Sequence, residues 1–106
     1  MENNKILGLI GLAARARKIC YGADSVEEKT IKNKVKLLII AEDASERTKQ
    51  KFQKLSEKFS IKLIIYNNIN SLSKAIGKEN KAILGIEDIN IANEIKKIFD
   101  GGEIIG

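Results

Sequence analysis

An unbroken apolar run at residues 37–41, Leu-Leu-Ile-Ile-Ala, stands between charged residues near the middle of the chain. A strand that is buried on both faces has this pattern, whereas a half-buried strand alternates apolar and polar residues. Glu42 and Asp43 end the run. Asp43 is predicted to cap the following helix, because Glu46 stands three residues later at the capping-box spacing. The pattern therefore predicts a central strand that leads directly into a helix, with polar groups at the carboxyl end of the strand.

The rest of the chain divides into alternating helices and strands. Apolar spacing, cap residues and glycine stops predict helices at residues 4–18, 25–32, 45–58, 71–77 and from 89 to the glycines at 101 and 102. Short apolar runs predict further strands at residues 19–21, 62–66 and 82–86, the first of them at an edge of the sheet. Ser25, Ser71 and Asp88 are the predicted N-caps of three helices. The residues after the last glycine pair are predicted to form a frayed tail.

This alternation predicts the α/β class, as a three-layer α/β/α sandwich over a small, mostly parallel mixed sheet. The 106 residues fit one domain, residues 1–106, and an apolar content of 43% is enough for a core. Ligands of open α/β sheets usually bind at the carboxyl ends of the strands. The residues after the central strand are therefore the first candidates for a site.

The chemistry available to the side chains is narrow. The chain has no histidine, which excludes His-based acid–base catalysis and His metal ligands. Cys20 is the single cysteine and is expected to be a small buried residue rather than a nucleophile. Glu42 and Asp43 are adjacent carboxylates without an evident third ligand, so a Mg²⁺ site there is the weaker alternative. No catalytic activity, metal or other cofactor is therefore expected.

The charge of the chain is positive, with a formal net value of +5 and a pI of about 9.4. That balance suits a nucleic-acid partner, which releases counterions when it binds, although lysines on helix faces are also ordinary solvated surface. No apolar run approaches the roughly 20 residues of a membrane span, and the N-terminus lacks the pattern of a secretory signal. A cytoplasmic protein that does not bind a membrane is expected.

Two stretches combine features that favour an anionic ligand. Residues 22–25 lead into the N-terminus of a helix, where free amides and the helix dipole attract phosphate. Residues 77–81 form a loop with two lysines beside a glycine. Arg15, Arg17 and Lys18 precede the first stretch in sequence. These stretches predict phosphate contacts.

Four stretches of the chain are similar to a known family: 8–18 (GLIGLAARARK), 21–26 (YGADSV), 36–45 (KLLIIAEDAS) and 71–77 (SLSKAIG). They lie in order along nearly the whole chain, and the third and fourth together are the most specific combination. The chain resembles the kink-turn RNA-binding superfamily of small ribosomal proteins, of the L7Ae type, and most closely its bacterial YlxQ-like branch. The resemblance implies an α/β/α domain that binds structured RNA, typically a kinked helix–bulge–helix with sheared G·A pairs.

In proteins of this kind the RNA contacts come from the start of the second helix, the turn after the central strand and the loop after the short fourth helix. Together with the basic residues above, the resemblance implies the following RNA-binding residues: Arg15, Lys18, Gly22, Ala23, Asp24, Ser25, Glu28, Lys29, Glu42, Asp43, Ile76, Gly77, Lys78 and Lys81. The usual signature of the family is Gly-x-Asn-Glu with a Lys three residues beyond the Glu, whereas this chain has Asp24, Ser25 and Glu28 at those places. The departures imply RNA binding with a weakened preference for kink-turns.

The function expected from the sequence is non-catalytic binding of structured RNA, ribosomal or otherwise kink-turn-like, in association with the ribosome. The alternative is a protein-interaction adaptor on the same fold. Asp24, Glu27 and Glu28 make the second helix acidic and would suit such an adaptor.

Overall fold

The computed structural model describes residues 5–101, which form five helices and a four-stranded sheet. The helices are α1 (Lys5–Arg15), α2 (Ala23–Ile31), α3 (Glu46–Phe59), α4 (Ile69–Ala75) and α5 (Ile89–Phe99). The strands are β1 (Ile19–Tyr21), β2 (Leu37–Ile40), β3 (Leu63–Ile65) and β4 (Ile83–Ile86). Each predicted element is present, with bounds that differ by a few residues. The predicted tail lies outside the described residues, and no helix within them is long and apolar enough to cross a membrane.

The strands are ordered β1-β4-β2-β3 across the sheet. β2 and β3 pair in parallel, whereas β4 pairs antiparallel with both β1 and β2. The predicted mostly parallel sheet is therefore wrong, because two of the three pairings among the described strands are antiparallel. After β3, the short α4 and the connection that follows it bring the chain back to the end of the sheet at which β3 ended. β4 therefore begins at that end and runs in the direction opposite to β2 and β3. A fully buried apolar run has the same composition in either direction, and the hydrophobic pattern could not reveal this reversal.

β2 lies at the centre of the core. All four of its residues are fully buried, which confirms the prediction of a strand covered on both faces. α2 and α3 pack against one face of the sheet, and α1, α4 and α5 lie together on the other. Phe52 of α3, and Ile10 of α1, Leu72 of α4 and Ile95 of α5, are the largest fully buried side chains that the helices contribute. The three predicted layers are confirmed.

Cys20 lies in β1 and is buried, as its apolar neighbours indicated. Its thiol donates to the Gly85 carbonyl at 3.6 Å, and a Cβ at Gly85 would lie only 2.9 Å from the sulfur. Burial, with the nearby Glu87 carboxylate as a lesser cause, raises the pKa of the Cys20 thiol to about 12. A thiol that stays protonated at neutral pH is a poor nucleophile, so Cys20 serves packing.

The predicted cap of α2 is wrong. The helix begins at Ala23, with Gly22 as the N-cap at a φ of 88°, rather than at Ser25. Glu28, the predicted partner of Ser25 in a capping box, instead pairs with Lys32 at 3.0 Å. Glycine tolerates the positive φ needed to turn directly from β1 into the helix, so the helix gains a further half-turn at its start.

The predicted cap of α3 is also wrong. Ser45 is the N-cap, and its hydroxyl accepts a hydrogen bond from the Thr48 backbone N–H at 3.1 Å. The carboxylate of Asp43 accepts from the Ile69 N–H at 2.8 Å and thereby joins the β2–α3 connection to the start of α4. The capping-box spacing could not distinguish this long-range acceptor from a local cap.

At α4 the cap lies three residues before the predicted Ser71. Asn68 caps the helix, and its side-chain oxygen accepts from the Ser71 backbone N–H at 2.8 Å. The prediction for α5 is confirmed, because Asp88 accepts from the Ile91 N–H at 2.9 Å.

Candidate nucleic-acid interface

The topology of the sheet gathers the predicted contact stretches at one edge. β1, β2 and β3 all end at this edge and β4 begins there, since Tyr21 lies opposite Leu84 and Ile40 opposite Ile83. We call this surface across the strand ends, which is not an edge strand, the carboxyl edge. Its connections are Gly22 and residues 41–45, 66–68 and 76–82. The opposite edge, the amino edge, holds the connections at residues 16–18, 32–36, 60–62 and 87–88.

The start of α2 lies at the carboxyl edge. Gly22 donates its N–H to the Ile83 carbonyl at 3.1 Å, which fixes the turn against the first residue of β4. Ala23, Asp24 and Ser25 are exposed, and within the described residues no side chain caps this helix. The first amides of α2 are thus available to an external acceptor, and the helix dipole adds positive partial charge at the same place.

The α4–β4 connection is held in place by Ser73, a residue that the sequence did not single out. The Ser73 hydroxyl accepts from the Lys81 N–H at 2.7 Å and donates to the Lys81 carbonyl at 3.3 Å. At the other end of the connection, the Lys78 N–H donates to the Ser73 carbonyl at 2.8 Å. Ile76 is buried, and Gly77 takes a φ of 71° at the turn. One buried serine therefore closes the loop that carries both lysines.

Tyr21, the last residue of β1, contacts both of these lysines. The ammonium groups of Lys78 and Lys81 each lie 5.5 Å from the centre of the Tyr21 ring, within the range of a cation–π interaction. The contact places both cations beside Gly22 and the open start of α2. Tyr21 lies about sixty residues before the two lysines in the sequence, so no local sequence pattern indicated this contact.

The β2–α3 connection completes the carboxyl edge. The Glu42 N–H donates to the Asn67 carbonyl at 2.7 Å, and Lys49 Nζ donates to the Glu42 carbonyl at 2.7 Å, whereas the Glu42 side chain is exposed. Between this connection and the α4–β4 connection lies a groove of about 670 Å³, lined by Asp43 and by Ile69, Asn70, Ser73, Lys74, Lys78, Glu79 and Asn80. Polar side chains and backbone from three segments of the chain therefore meet there.

Two of the predicted contact residues lie at the amino edge instead. The Lys18 carbonyl accepts from the Glu87 N–H at 2.8 Å, where β1 begins. Lys29, near the end of α2, has its ammonium 3.5 Å from the Glu87 carboxylate. The structure therefore does not bring Lys18 and Lys29 together with Gly22, Lys78 and Lys81.

Glu28 and Arg15 also lie outside the carboxyl-edge connections. The hydrogen bond and positive charge of Lys32 lower the pKa of the exposed Glu28 carboxyl. Arg15 is the last residue of α1, and its Nη1 lies 3.5 Å from the position of a Cβ on Gly11, so its side chain folds back along that helix. Neither side chain takes part in the contacts that organise the carboxyl edge.

The acidic residues described at the carboxyl edge do not come together in a group of three or more metal ligands. In the part of the chain that the structure describes, no three or more of His, Cys, Asp and Glu are grouped so that they could hold a metal ion. The Asp43 carboxylate is engaged with the start of α4. The arrangement instead offers backbone amides, a hydroxyl, carboxylates and ammonium groups to a polar ligand.

Two known bacterial proteins are similar to this chain over most of its length. It is 33% identical over 95 residues to the RNA-binding protein YlxQ of Bacillus subtilis, covering 87% of this chain and 92% of that protein. It is 32% identical over 100 residues to the protein of the same name from Enterococcus faecium, covering 94% and 96%.

Two solved structures have a similar fold. A protein of unknown function from Bacillus halodurans superposes with a TM-score of 0.89 at 31% identity, covering 92% of this chain and 99% of that chain. The Giardia lamblia 15.5kD RNA binding protein superposes with a TM-score of 0.78 at 20% identity, covering 94% and 92%, and this likeness concerns the fold.

The sequence model of one family matches residues 4–96, which include every element of the sheet and the four helices from α1 to α4. Together with the identity to the two bacterial proteins, this match identifies the chain as a member of the Ribosomal protein L7Ae/L30e/S12e/Gadd45 family.

Proposed function

We propose that this chain binds structured RNA at the carboxyl edge, as a non-catalytic protein associated with the ribosome. The observation that carries the proposal is the convergence of three segments at this edge, with the uncapped start of α2 beside Lys78 and Lys81. The printed names of the two bacterial relatives support it, because both are called RNA-binding proteins. RNA is a polyanion, and the amides and ammonium groups gathered here are the donors that phosphate accepts.

In this proposal Lys78, Lys81 and the first amides of α2 bind the RNA backbone, and Asp24 reads a base. A carboxylate can accept hydrogen bonds from the N1–H and N2 amino group of guanine, so Asp24 partly replaces the glutamate of the family signature. The side chain of Ser25 is shorter than that of a glutamate, although its hydroxyl does not cap α2. Glu28 repels phosphate where the signature has a lysine, and its ion pair with Lys32 lessens that repulsion.

The preferred RNA in this proposal is kink-turn-like, with weaker discrimination than the family signature would give. The test is a competition between a kink-turn and the same RNA without its G·A pairs. The triple variant Asp24→Asn, Ser25→Glu, Glu28→Lys is expected to discriminate between the two more strongly than the wild type. A wild type that already discriminates a thousandfold, or a triple variant that gains nothing, would show that these three positions do not set the preference.

The phosphate contacts have a separate test. The variant Lys78→Gln/Lys81→Gln is expected to reduce the slope of log affinity against log salt by about one unit for each lysine, for bulged RNAs of any base sequence. Lys54→Gln/Lys97→Gln removes the same charge from two exposed helix positions outside the connections of both edges and is the matched control. Equal slopes for the two variants would place the phosphate contacts elsewhere.

The adaptor alternative receives less support from the charges of α2. Glu27 pairs with Lys51 at 2.8 Å, and Glu28 pairs with Lys32 at 3.0 Å. Lysines of this chain thus already neutralise two of the three acidic side chains that an adaptor would present, which leaves Asp24 for a basic protein partner.

A further inference from the structure

Positive charge is distributed unevenly between the two edges of the sheet. The carboxyl-edge connections contain three carboxylates and only two cationic side chains, Lys78 and Lys81. The amino-edge connections contain two carboxylates and six cationic side chains: Arg17, Lys18, Lys32, Lys34, Lys36 and Lys62. Most of the formal net charge of +5 therefore lies at the edge opposite the proposed RNA site.

The helix dipoles reduce this difference without removing it. Of the described helices, α1, α2 and α3 end at the amino edge and α5 begins there. With about half a negative charge at each C-terminus and half a positive charge at an N-terminus, the net contribution is about one negative charge. The four connections carry an excess of four positive side chains, so the amino edge stays cationic.

The amino edge also has a groove that could receive a chain of phosphates. It has a volume of about 320 Å³ and is lined by Asn33, Val35, Lys36, Phe59, Ser60, Ile61, Lys62, Ile89 and Lys96. Three of these residues are lysines and none is acidic. Lys36 Nζ donates to the Asn33 carbonyl at 3.3 Å, whereas the side chains of Lys62 and Lys96 have no hydrogen bond or ion pair with any residue between 5 and 101.

The two acidic residues of the amino edge are occupied elsewhere. Glu87 faces Lys29 at 3.5 Å and its side chain is only 17% exposed. Asp88 caps α5 through the Ile91 N–H. Neither carboxylate lines the groove, so the charge of Lys36, Lys62 and Lys96 is left for an external anion.

We propose that the amino edge binds the phosphate backbone of a second RNA segment, so that the protein bridges two segments of one folded RNA. This inference rests on the proposed function, since it takes RNA to be the ligand of the carboxyl edge. The described part of the chain measures only 35 × 26 × 26 Å, so segments bound at opposite edges would lie close together. Lysines are point charges without a base-reading geometry, and the contact is therefore expected to depend on charge and not on sequence.

The test uses a plain RNA duplex without bulges, titrated at several salt concentrations. Lys36→Gln/Lys62→Gln is expected to lower the slope of log affinity against log salt by about two units relative to the wild type. Lys78→Gln/Lys81→Gln and the control Lys54→Gln/Lys97→Gln are expected to keep most of the duplex affinity. An amino-edge variant that behaves as the control does, or wild-type protein that prefers vesicles of anionic lipid to the duplex, would overturn the inference.

Bridging is tested with a bulged, kink-turn-containing RNA immobilised and loaded with protein. A labelled plain duplex is expected to be captured by the wild type and not by Lys36→Gln/Lys62→Gln, although both load equally. Equal capture by both proteins would overturn the bridge and leave the proposed function intact. Failure of the wild type to load on the bulged RNA, with duplex binding still dependent on Lys36 and Lys62, would overturn the proposed function and the bridge but not the amino-edge contact.

Discussion

The two edges of the sheet are built in different ways. At the carboxyl edge, side chains accept hydrogen bonds from backbone N–H groups: Asp43 and Ser73 join separate segments in this way, whereas Ser45 and Asn68 cap the helices that follow them. At the amino edge, backbone hydrogen bonds close the turns at Arg17, Asn33 and Ser60, which have positive φ, and the side chain of Asp88 caps only the helix that follows it. A specific polar network defines a shape, whereas exposed lysines around backbone turns supply charge. For the RNA contacts proposed above, we therefore expect the first edge to discriminate between RNAs and the second to add affinity for any RNA.

The largest effect is expected from a substitution that disturbs both edges at once. Leu38 is fully buried in β2, which reaches from one edge to the other. Leu38→Ala should lower the free energy of unfolding by roughly 2–5 kcal/mol, because it removes buried methyl groups and leaves a cavity. Denaturant unfolding measures the loss. Ile65→Ala, at a side chain that is 43% exposed in β3, is the control and should cost clearly less.

A smaller effect, confined to one edge, is expected from Ser73→Ala. The substitution leaves the Lys81 N–H and carbonyl without their partner, at a cost of roughly 1–3 kcal/mol in the free energy of unfolding. It should also weaken binding of bulged RNA, because the loop that carries Lys78 and Lys81 loses its closure. Duplex binding through the amino edge should be unchanged.

Ser71→Ala is the matched control for Ser73→Ala, because Ser71 belongs to the same helix and bonds to Asn68 through its backbone N–H alone. Equal losses of stability and of bulged-RNA affinity in the two variants would mean that the Ser73 hydroxyl does not organise the carboxyl edge.

Some features of the strands and of the two edges could be predicted from the sequence, and others could not. The burial of residues 37–41 followed from their composition, and the confirmed cap at Asp88 followed from a local spacing. The direction of β4 did not follow, since a buried run does not encode direction. The bonds of Asp43 to Ile69 and of both loop lysines to Tyr21 join residues far apart in sequence, so no local pattern announced them.

The candidate site shows the same division. The resemblance proposed which stretches touch RNA, and the topology brings most of them to one edge. It could not show that Lys18 and Lys29 lie at the other edge, because that depends on how the ends of β1 and α2 meet Glu87. Nor could net charge show where the excess cations lie, since charge counted along the chain contains no geometry.

The smallest expected effect concerns which amino-edge lysines are free to bind RNA. Lys32 is committed to Glu28 at 3.0 Å, and its ammonium lowers the pKa of that carboxyl. Lys32→Gln should therefore return the pKa of Glu28 toward its usual value, as followed by NMR of the side-chain carboxyl carbon. Lys34→Gln removes an equal charge from the same connection and should leave that pKa nearly unchanged. A similar rise in both variants would assign the lowered pKa to the general charge of the edge.

The stabilising effect of the ion pair between Lys32 and Glu28 should depend on pH. Because folding lowers the pKa of Glu28, the ion pair stabilises the protein at pH values above the pKa of the unfolded chain, and this contribution is lost as the pH falls through the folded pKa. The difference in stability between wild type and Lys32→Gln should thus be small at neutral pH, since both side chains are exposed, and should vanish in acid.

Since the ion pair occupies Lys32, Lys32→Gln should also lower the salt slope of duplex binding less than Lys36→Gln does. A larger effect of Lys32 on that slope would mean that RNA displaces Glu28 and that the cationic surface of the amino edge extends onto α2.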